Sequence, residues 1–309
     1  MNYYALAFYQ IAPIESPESE VKLQKAFLKD KDAKARIYIS EEGINGQMSL
    51  SKTDAKVYMD WMHSRELFKS IDFKLHEIDE HAFPKLTVKV RKQLVALDRP
   101  VDFSLIGEHI SPAEFKSKLD KGNYTLLDVR NKYECEVGRF KGSIVPPSDT
   151  FREFDEWADE LKTNLNPEKE EVLMCCTGGI RCEYFSALLK EKGFQNVKQL
   201  DGGIIGYGLK EGSKHWDGKL FVFDDRLTVP ISNEPTEVIG KCHKCHAPTE
   251  LYYNCANMDC NHLFLSCHEC IKESIGCCKD TCQTAPRVRA FDPNARHKPF
   301  RKLDKAQKT

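Results

Sequence analysis

A strand, a short loop and a helix within residues 172–192 constrain this chain more than any other segment. The apolar run that begins at Val172 is typical of a buried strand, and residues 184–192 have the apolar spacing of an amphipathic helix. Between them, Cys176 and Arg181 enclose a segment with two glycines. Backbone N–H groups and the positive end of the helix point into such a loop. The segment therefore predicts an anion-holding loop between the end of a buried strand and the start of a helix.

Cys176 is the residue that this loop would activate. An anion-holding loop lowers the pKa of a cysteine from ~8.5 towards neutrality, which would make Cys176 a nucleophile at physiological pH. We therefore predict Cys176 and Arg181 as catalytic residues, because Arg181 adds a full charge at the rim. The substrate loop between them comprises Thr177, Gly178, Gly179 and Ile180. An inert buried cysteine is the alternative, and the glycines together with Arg181 weigh against it.

Two flanking segments resemble a known domain. Residues 126–134 (Leu-Leu-Asp-Val-Arg-Asn-Lys-Tyr-Glu) and 138–144 are similar to the opening signature of a rhodanese domain, and residues 197–204 resemble its closing strand and turn. A phosphatase loop of the Cys-x5-Arg type is one residue longer, so the present loop suits a smaller group such as a persulfide sulfur. The resemblance implies a rhodanese α/β domain over residues 104–220, with the active cysteine between a central strand and its helix.

Asp128 and Arg130 follow the strand that begins at Leu126. The carboxyl ends of parallel strands face the ligand crevice, so both residues could lie near Cys176 and support it. An Asp–Arg pair that only ties down a loop is an equally open interpretation.

Length and composition indicate further domains. A chain of 309 residues holds two or three domains on length alone, and 41% hydrophobic with 30% charged residues is ordinary for a globular protein. The net charge of −1 gives no global bias towards nucleic acid. No apolar run approaches the ~20 residues of a membrane helix, and no signal peptide is visible. Thirteen cysteines without an export signal indicate a reducing, cytoplasmic location.

Residues 1–96 have the pattern of a separate α+β domain. Strands are predicted at 3–11, 35–40, 47–50, 73–77 and 86–90, and helices at 21–28 and 54–63. The β-α-β-β-α-β order is that of a ferredoxin-like, or acylphosphatase-like, fold. Residues 43–46 (Gly-Ile-Asn-Gly) are predicted to form the turn between two strands, although a ligand-facing role is compatible. A linker follows at 97–105, and Ser111 is predicted to cap a helix that has Pro112 in its first turn.

The region 221–309 contains a dense cysteine cluster. Nine of the thirteen cysteines fall within 41 residues: Cys242, Cys245, Cys255, Cys260, Cys267, Cys270, Cys277, Cys278 and Cys282. Two Cys-x2-Cys pairs in a cytosolic chain indicate structural zinc. One pairing joins Cys242, Cys245, Cys267 and Cys270. A second site would take Cys255, Cys260 and two of the last three cysteines, leaving one spare. A redox or disulfide-stapled region is the alternative.

The chain turns basic after this cluster. Residues 286–309 carry eight basic side chains: Arg287, Arg289, Arg296, Lys298, Arg301, Lys302, Lys305 and Lys308. Such a segment is usually a solvated end, but with Phe291 and Phe300 it could contact RNA.

The three regions in this order resemble the rhodanese-fold tRNA uridine(34) hydroxylases. The resemblance rests on residues 42–46 (Glu-Gly-Ile-Asn-Gly), 176–183, 221–226 (Phe-Val-Phe-Asp-Asp-Arg) and the cysteine array. It implies an enzyme that uses molecular oxygen to hydroxylate C5 of the wobble uridine of tRNA, with Cys176 as the essential cysteine. No flavin motif, dinucleotide loop or iron triad is recognisable. As a chemical hypothesis, Cys176 or its persulfide adds to C6 and makes C5 nucleophilic. Whether Cys175 takes part, and the oligomeric state, stay open.

Two other functions compete with hydroxylation. Cys176 could accept sulfane sulfur from thiosulfate or a persulfide and pass it on, with Cys182 as a resolving thiol. Alternatively, the chain could be a zinc-bearing RNA-binding adaptor, against which the intact loop from Cys176 to Arg181 argues.

Overall fold

The computed structural model describes residues 2–292, which form two compact units. The first unit contains the described residues up to Lys132 together with Gly142–Lys214. The second contains Tyr133–Lys141 and the described residues from His215 onwards. Most of the basic segment predicted at 286–309, from Arg296 to Lys308, lies outside the described residues.

The N-terminal domain of the first unit is a mainly antiparallel sheet backed by two helices. Its elements are β1 (Tyr3–Ile11), α1 (Pro17–Leu28), β2 (Ala33–Ser40), β3 (Gly43–Ser51), α2 (Lys52–His63), β4 (Asp72–Ile78) and β5 (Leu86–Val90). The strand order β4-β1-β3-β2-β5 confirms the ferredoxin-like prediction, with β5 added parallel to β2 at one edge. Alternate strand residues such as Leu6, Phe8 and Ile37 form the core with Tyr58 and Met62 of α2.

The hairpin between β2 and β3 differs from the sequence prediction. Residues 43–46 are not the turn, because β3 begins at Gly43 and pairs with Ser40 across a two-residue turn. The glycines serve close packing instead. A Cβ on Gly43 would lie 2.0 Å from the Gln10 carbonyl oxygen, and one on Gly46 would lie 2.2 Å from the Phe8 ring. These positions therefore need glycine so that β1 can approach β3.

The second domain is built on a parallel sheet. Its elements are β6 (Glu108–Ile110), α3 (Pro112–Lys121), β7 (Thr125–Asp128), α5 (Phe154–Asn164), β9 (Glu171–Cys175), α6 (Ile180–Glu191), β10 (Asn196–Leu200) and α7 (Gly203–Glu211). Between β7 and α5 the chain forms α4 (Lys132–Glu136) and β8 (Gly138–Phe140), which apart from Lys132 belong to the second unit. The sheet order is β6-β10-β9-β7, all parallel, as expected of a rhodanese α/β domain. The Ser111 side chain accepts from the Glu114 N–H and caps α3 as predicted.

Helix α6, which follows the cysteine loop, is more buried than its sequence indicates. It begins at Ile180 rather than at residue 184, and every residue from Arg181 to Leu189 is buried. The prediction of an amphipathic helix is therefore wrong. The helix packs against α5 through Trp157 and Phe185, whose rings stack at 5.1 Å, and Tyr184 meets Phe103 on another side.

The second unit is made of short strands and helices. Besides β8, it contains β11 (Trp216–Gly218), β12 (Leu220–Phe221), β13 (Thr228–Val229), β14 (Tyr252–Asn254), β15 (Leu263–Leu265), α8 (His268–Glu273) and α9 (Asp280–Gln283). Strand β8 pairs with β11, which explains why residues 133–141 belong to this unit. Its apolar core is small, with one cluster around Phe221 and Tyr252 and another around Phe264 and Ile271.

None of the helices in residues 2–292 has the length and apolar character needed to cross a bilayer.

Candidate active site

Cys176 lies directly after the central strand β9, at the start of the predicted loop. The Gly179 N–H donates to its Sγ at 3.1 Å. Gly179 has φ +111°, a left-handed conformation that favours glycine. This conformation turns the backbone so that its N–H meets the sulfur, and the loop therefore surrounds the thiol as the sequence predicts.

The environment of Cys176 favours its thiolate. The side chain is 1% exposed, and burial, the largest single influence, raises its pKa. Hydrogen bonds from the Cys182 thiol and backbone and from the Gly179 N–H, together with the Arg181 charge, outweigh burial and lower the pKa of Cys176 to about 6. The thiolate is therefore the main form of Cys176 at neutral pH.

Arg181 and Thr177 hold the loop at its rim. The Arg181 guanidinium donates to Thr177 Oγ1 at 3.1 Å, and the Arg181 side chain is buried. A Cβ on Gly178 would meet no atom within 4 Å, so the loop is open at this residue. An incoming group can therefore approach at Gly178.

The start of α7 holds the backbone of the loop through hydrogen bonds, which the sequence did not predict. The N–H groups of Ile204 and Ile205 donate to the carbonyl oxygens of Cys176 and Thr177, at 2.9 and 3.1 Å. Gly203 has φ +63°, and a Cβ there would lie 2.7 Å from the Cys176 carbonyl oxygen. Residues 202–203 are therefore a structural part of the site.

Glu183, two residues after Arg181, joins the loop helix to the N-terminal domain. Its Oε1 accepts from Tyr9 Oη at 2.7 Å and lies 2.9 Å from His109 Nε2, and its Oε2 accepts from Gln199 Nε2 at 3.1 Å. Glu183 is 4% exposed, so these contacts satisfy a buried carboxylate. The Tyr9 hydroxyl would lie 2.6 Å from a Cβ on Gly179, so Tyr9 forms a wall beside the loop.

Glu42 makes a second connection between the same domains. Its Oε2 accepts from Tyr184 Oη at 2.6 Å and from the Leu94 N–H at 3.2 Å. The first residue of the Glu-Gly-Ile-Asn-Gly segment thus holds α6 and the end of the N-terminal domain together.

Asp128 and Arg130 form a buried ion pair at the end of β7. Arg130 Nε and Nη2 donate to the two Asp128 carboxylate oxygens at 2.8 and 2.6 Å, and both side chains are fully buried. Asp128 is opposite Cys175 in the parallel pairing of β7 with β9. The pair therefore lies at the C-terminal end of the strands, where the loop begins, and next to Cys175, the residue before Cys176. The Cys175 thiol lies 3.9 Å from the Leu127 carbonyl oxygen.

Eight of the nine clustered cysteines form two groups that could hold a metal. Within each group the four sulfurs lie within 4.8 Å of one another: Cys242, Cys245, Cys267 and Cys270 in one, and Cys255, Cys260, Cys278 and Cys282 in the other. Cys277 belongs to neither group and lies buried in an apolar cluster.

The donor geometry fits a tetrahedral ion. Cys245 and Cys267 have sulfurs 3.7 Å apart, and those of Cys260 and Cys278 are 3.6 Å apart. A tetrahedral ion with ~2.3 Å metal–sulfur bonds requires sulfurs about 3.8 Å apart. The Cys278 N–H donates to Cys255 Sγ at 3.4 Å, an interaction that favours a thiolate ligand.

Two arginines of the basic segment lie near the second group, one bonded to Cys255 and the other to the residue before Cys260. Arg289 donates to the Cys255 carbonyl oxygen at 2.9 Å, and Arg287 forms an ion pair with Asp259 at 2.7 Å.

Comparison with known proteins places the chain in a family. The family models that match are the UPF0176 acylphosphatase like domain over residues 3–94, the Rhodanese-like domain over 111–209 and Rhodanase C-terminal over 217–283. Among solved structures, the rhodanese-like domain of an Anabaena sp. protein covers 45% of this chain and 96% of that chain, at 19% identity and a TM-score of 0.32.

Curated relatives match over nearly the whole chain. The tRNA uridine(34) hydroxylase of Protochlamydia amoebophila (strain UWE25) is 57% identical over 302 residues, covering 97% of this chain and 94% of that protein. The protein of the same name from Chlamydia abortus (strain DSM 27085 / S26/3) is 51% identical over 304 residues, covering 98% and 93%. With identities this high over nearly the whole length of both proteins, the chain belongs to the tRNA uridine(34) hydroxylase family.

Proposed function

We propose that this enzyme hydroxylates C5 of uridine 34 in tRNA, with molecular oxygen as co-substrate and Cys176 as the nucleophile. The names of the relatives support the reaction. The observation that carries the residue assignment is the Cys176 thiol, whose pKa is about 6. It lies in a loop that is open at Gly178.

The chemistry begins with the thiolate. Cys176 Sγ adds to C6 of the uracil ring. This addition produces an enolate whose C5 carbon is nucleophilic enough to react with molecular oxygen. C5 forms a bond to molecular oxygen, which gives a C5 peroxide. Two thiols of a reductant become a disulfide and supply two electrons and two protons that break the O–O bond, so that one oxygen atom stays on C5 and the other leaves as water. Loss of the C5 proton and of the Cys176 thiolate then restores the ring.

Arg181 and the loop residues support this step. The Arg181 charge and the Gly179 N–H stabilise the thiolate before addition and after its release. The Asp128–Arg130 pair supports the loop indirectly, because it is buried beside Cys175 and holds the end of β7 in place.

We infer that each four-cysteine group holds a structural zinc ion. The sulfur spacing and the tetrathiolate donor set support zinc, which prefers four such ligands. Zinc would stabilise a unit whose apolar core is small.

The reaction takes place in the cytoplasm, where tRNA is modified.

The test uses tRNA that lacks the wobble modification, under ¹⁸O₂. We expect mass spectrometry to find one ¹⁸O atom in a 5-hydroxyuridine nucleoside with the wild-type enzyme and none with Cys176→Ser. A thiosulfate:cyanide assay runs in parallel. Sulfur transfer without nucleoside oxidation would show that the enzyme is a sulfurtransferase instead. Binding of tRNA without either reaction would leave only an RNA-binding role.

A further inference from the structure

The N-terminal sheet has one face that its helices do not cover. Leu6, Phe8 and Ile37 point towards α1 and α2. Because successive side chains of a strand alternate, their neighbours Tyr9 and Tyr38 lie on the opposite face.

Strand register places polar and cationic residues in two rows across this open face. One row runs from β1 to β5 through Tyr9, Asn45, Tyr38 and Lys89. The neighbouring row runs from β4 to β5 through Lys74, Ala7, Gln47, Arg36 and Thr87. We call these two rows, with Arg91 just after β5, the open face.

The open face combines exposed cations with a half-exposed aromatic ring. Arg36, Lys89 and Arg91 are exposed, and the Arg91 guanidinium lies 4.7 Å from the centroid of the Tyr38 ring. Asp72 of β4 is opposite Tyr9 and so continues the first row beyond β1; its carboxylate pairs with Lys74 at 3.3 Å. The net charge of the whole chain is −1, so this positive charge is a local feature.

The open face reaches the cysteine loop at one end. Tyr9 is hydrogen-bonded to Glu183 and lies against Gly179. The Lys74 ammonium is 5.4 Å from the Tyr9 ring centroid, and its Cε is 3.5 Å from the place of a Cβ on Gly202. Three strand spacings, about 14 Å, separate Tyr9 from Lys89. A ligand with one end at Cys176 can therefore extend across Asn45 and Tyr38.

We propose that the open face binds the single-stranded nucleotides that flank the target uridine, as part of the anticodon loop. Tyr38 is the stacking platform for a base, and Arg36, Lys89 and Arg91 meet phosphates. Asn45 and Gln47 hydrogen-bond base edges. Single-stranded RNA is the partner that this chemistry fits, since it offers negative phosphates and unpaired bases together. The assignment rests on the proposed function, because it takes uridine 34 as the residue at Cys176.

The test measures binding of an anticodon stem-loop with uridine 34, together with its hydroxylation. We expect Tyr38→Ala to weaken binding roughly 5- to 150-fold and Tyr38→Phe to retain it, because stacking needs only the ring. Replacing Arg36 and Lys89 with alanine should lower the dependence of log K on log salt by about 0.7 for each phosphate that the variant no longer neutralises. Lys25→Ala is the matched control, since Lys25 is exposed on α1, which packs on the other face of the sheet.

The outcomes separate this surface from the proposed function. The assignment of the open face as an RNA-binding surface would be overturned if Tyr38→Ala and the double variant both kept wild-type affinity and salt dependence while the wild-type enzyme is active. RNA binding that depends on Tyr38 without any hydroxylation would keep the surface and overturn the proposed function. No RNA binding by the wild-type protein would overturn both. An unchanged alkylation rate at Cys176 in each variant shows that the fold is intact.

Discussion

At the residue scale, burial and hydrogen bonding act on Cys176 in opposite directions. Burial raises the pKa of the thiol, yet the donors around its sulfur and the Arg181 charge bring the pKa to about 6. A buried cysteine without these donors would be an inert thiol. The loop therefore makes the difference between a core residue and a nucleophile.

Alkylation measures this balance directly. We expect the rate of iodoacetamide reaction at Cys176 to fall to half of its high-pH value near pH 6, because half of the thiolate is protonated at its pKa. An unperturbed thiol loses reactivity below ~8.5. Mass spectrometry of the Cys176 peptide gives the rate at each pH. A midpoint near 8.5 would contradict the thiolate assignment.

Cys182 has a donor role that a substitution can isolate. Burial and the neighbouring Cys176 raise the pKa of Cys182, which keeps it protonated and able to donate. Cys182→Ala should raise the alkylation midpoint of Cys176 by about one pH unit, since the variant cannot donate this hydrogen bond to the charged sulfur. Cys182→Ser keeps a donor and should leave the midpoint near that of the wild type. Equal midpoints in all three proteins would show that Cys182 does not stabilise the thiolate.

At the element scale, sequence patterns predicted most strands. They failed where the conformation or burial of an element depends on contacts with residues far away in the sequence. The bounds of β1 and the cap of α3 follow from alternation and from the Ser-Pro pair, which are local signals. Gly43 and Gly46 look like turn residues because their contacts with β1 come from more than 30 positions away. Residues 184–192 of helix α6 look amphipathic because they include polar side chains such as Ser186, yet Ser186 is buried and accepts from the Gly107 N–H instead of facing water.

Two glycine substitutions test the close packing at Gly46 and the open space at Gly178. Gly46→Ala should destabilise the fold by about 1–3 kcal/mol, because the new methyl group would overlap the buried Phe8 ring. Gly178→Ala should keep the wild-type free energy of unfolding, since its Cβ would enter open space, but it should lower activity by narrowing the loop opening. Urea unfolding and turnover of each variant check the two expectations. Equal stability of Gly46→Ala and wild type would mean that Phe8 can move aside.

At the scale of the whole molecule, the contacts between the first two domains were beyond sequence reasoning. Tyr9 and Glu183 are 174 residues apart, and Glu42 and Tyr184 are 142 apart. No spacing rule links such positions, although a carboxylate within an apolar helix is a hint that it has buried partners. Leu94 belongs to the same apolar cluster as Cys176, and Ile11 packs against that cluster, so the N-terminal domain also contributes apolar contacts to the core that carries the site.

The cysteine region was easier to predict, because Cys-x2-Cys pairs are a local signal. Spacing alone could not choose among Cys277, Cys278 and Cys282. The structure groups Cys278 and Cys282 with Cys255 and Cys260 and leaves the buried Cys277 outside both groups. The choice depends on how the backbone turns at 276–278, which sequence spacing does not determine.

Two neighbouring cysteines therefore give a matched test of the zinc sites. We expect about two zinc ions per wild-type chain by elemental analysis, one in Cys278→Ala and two in Cys277→Ala, because only Cys278 lies within a sulfur group. Cys245→Ala should likewise retain one ion, at the other site. A strong chelator should unfold the second unit, since its apolar clusters are small and metal binding supplies folding free energy. Hydrogen exchange measured with and without chelator locates the unfolded segment. Wild-type protein prepared under reducing conditions that contains no zinc, yet resists the chelator, would show that the two groups are not metal sites.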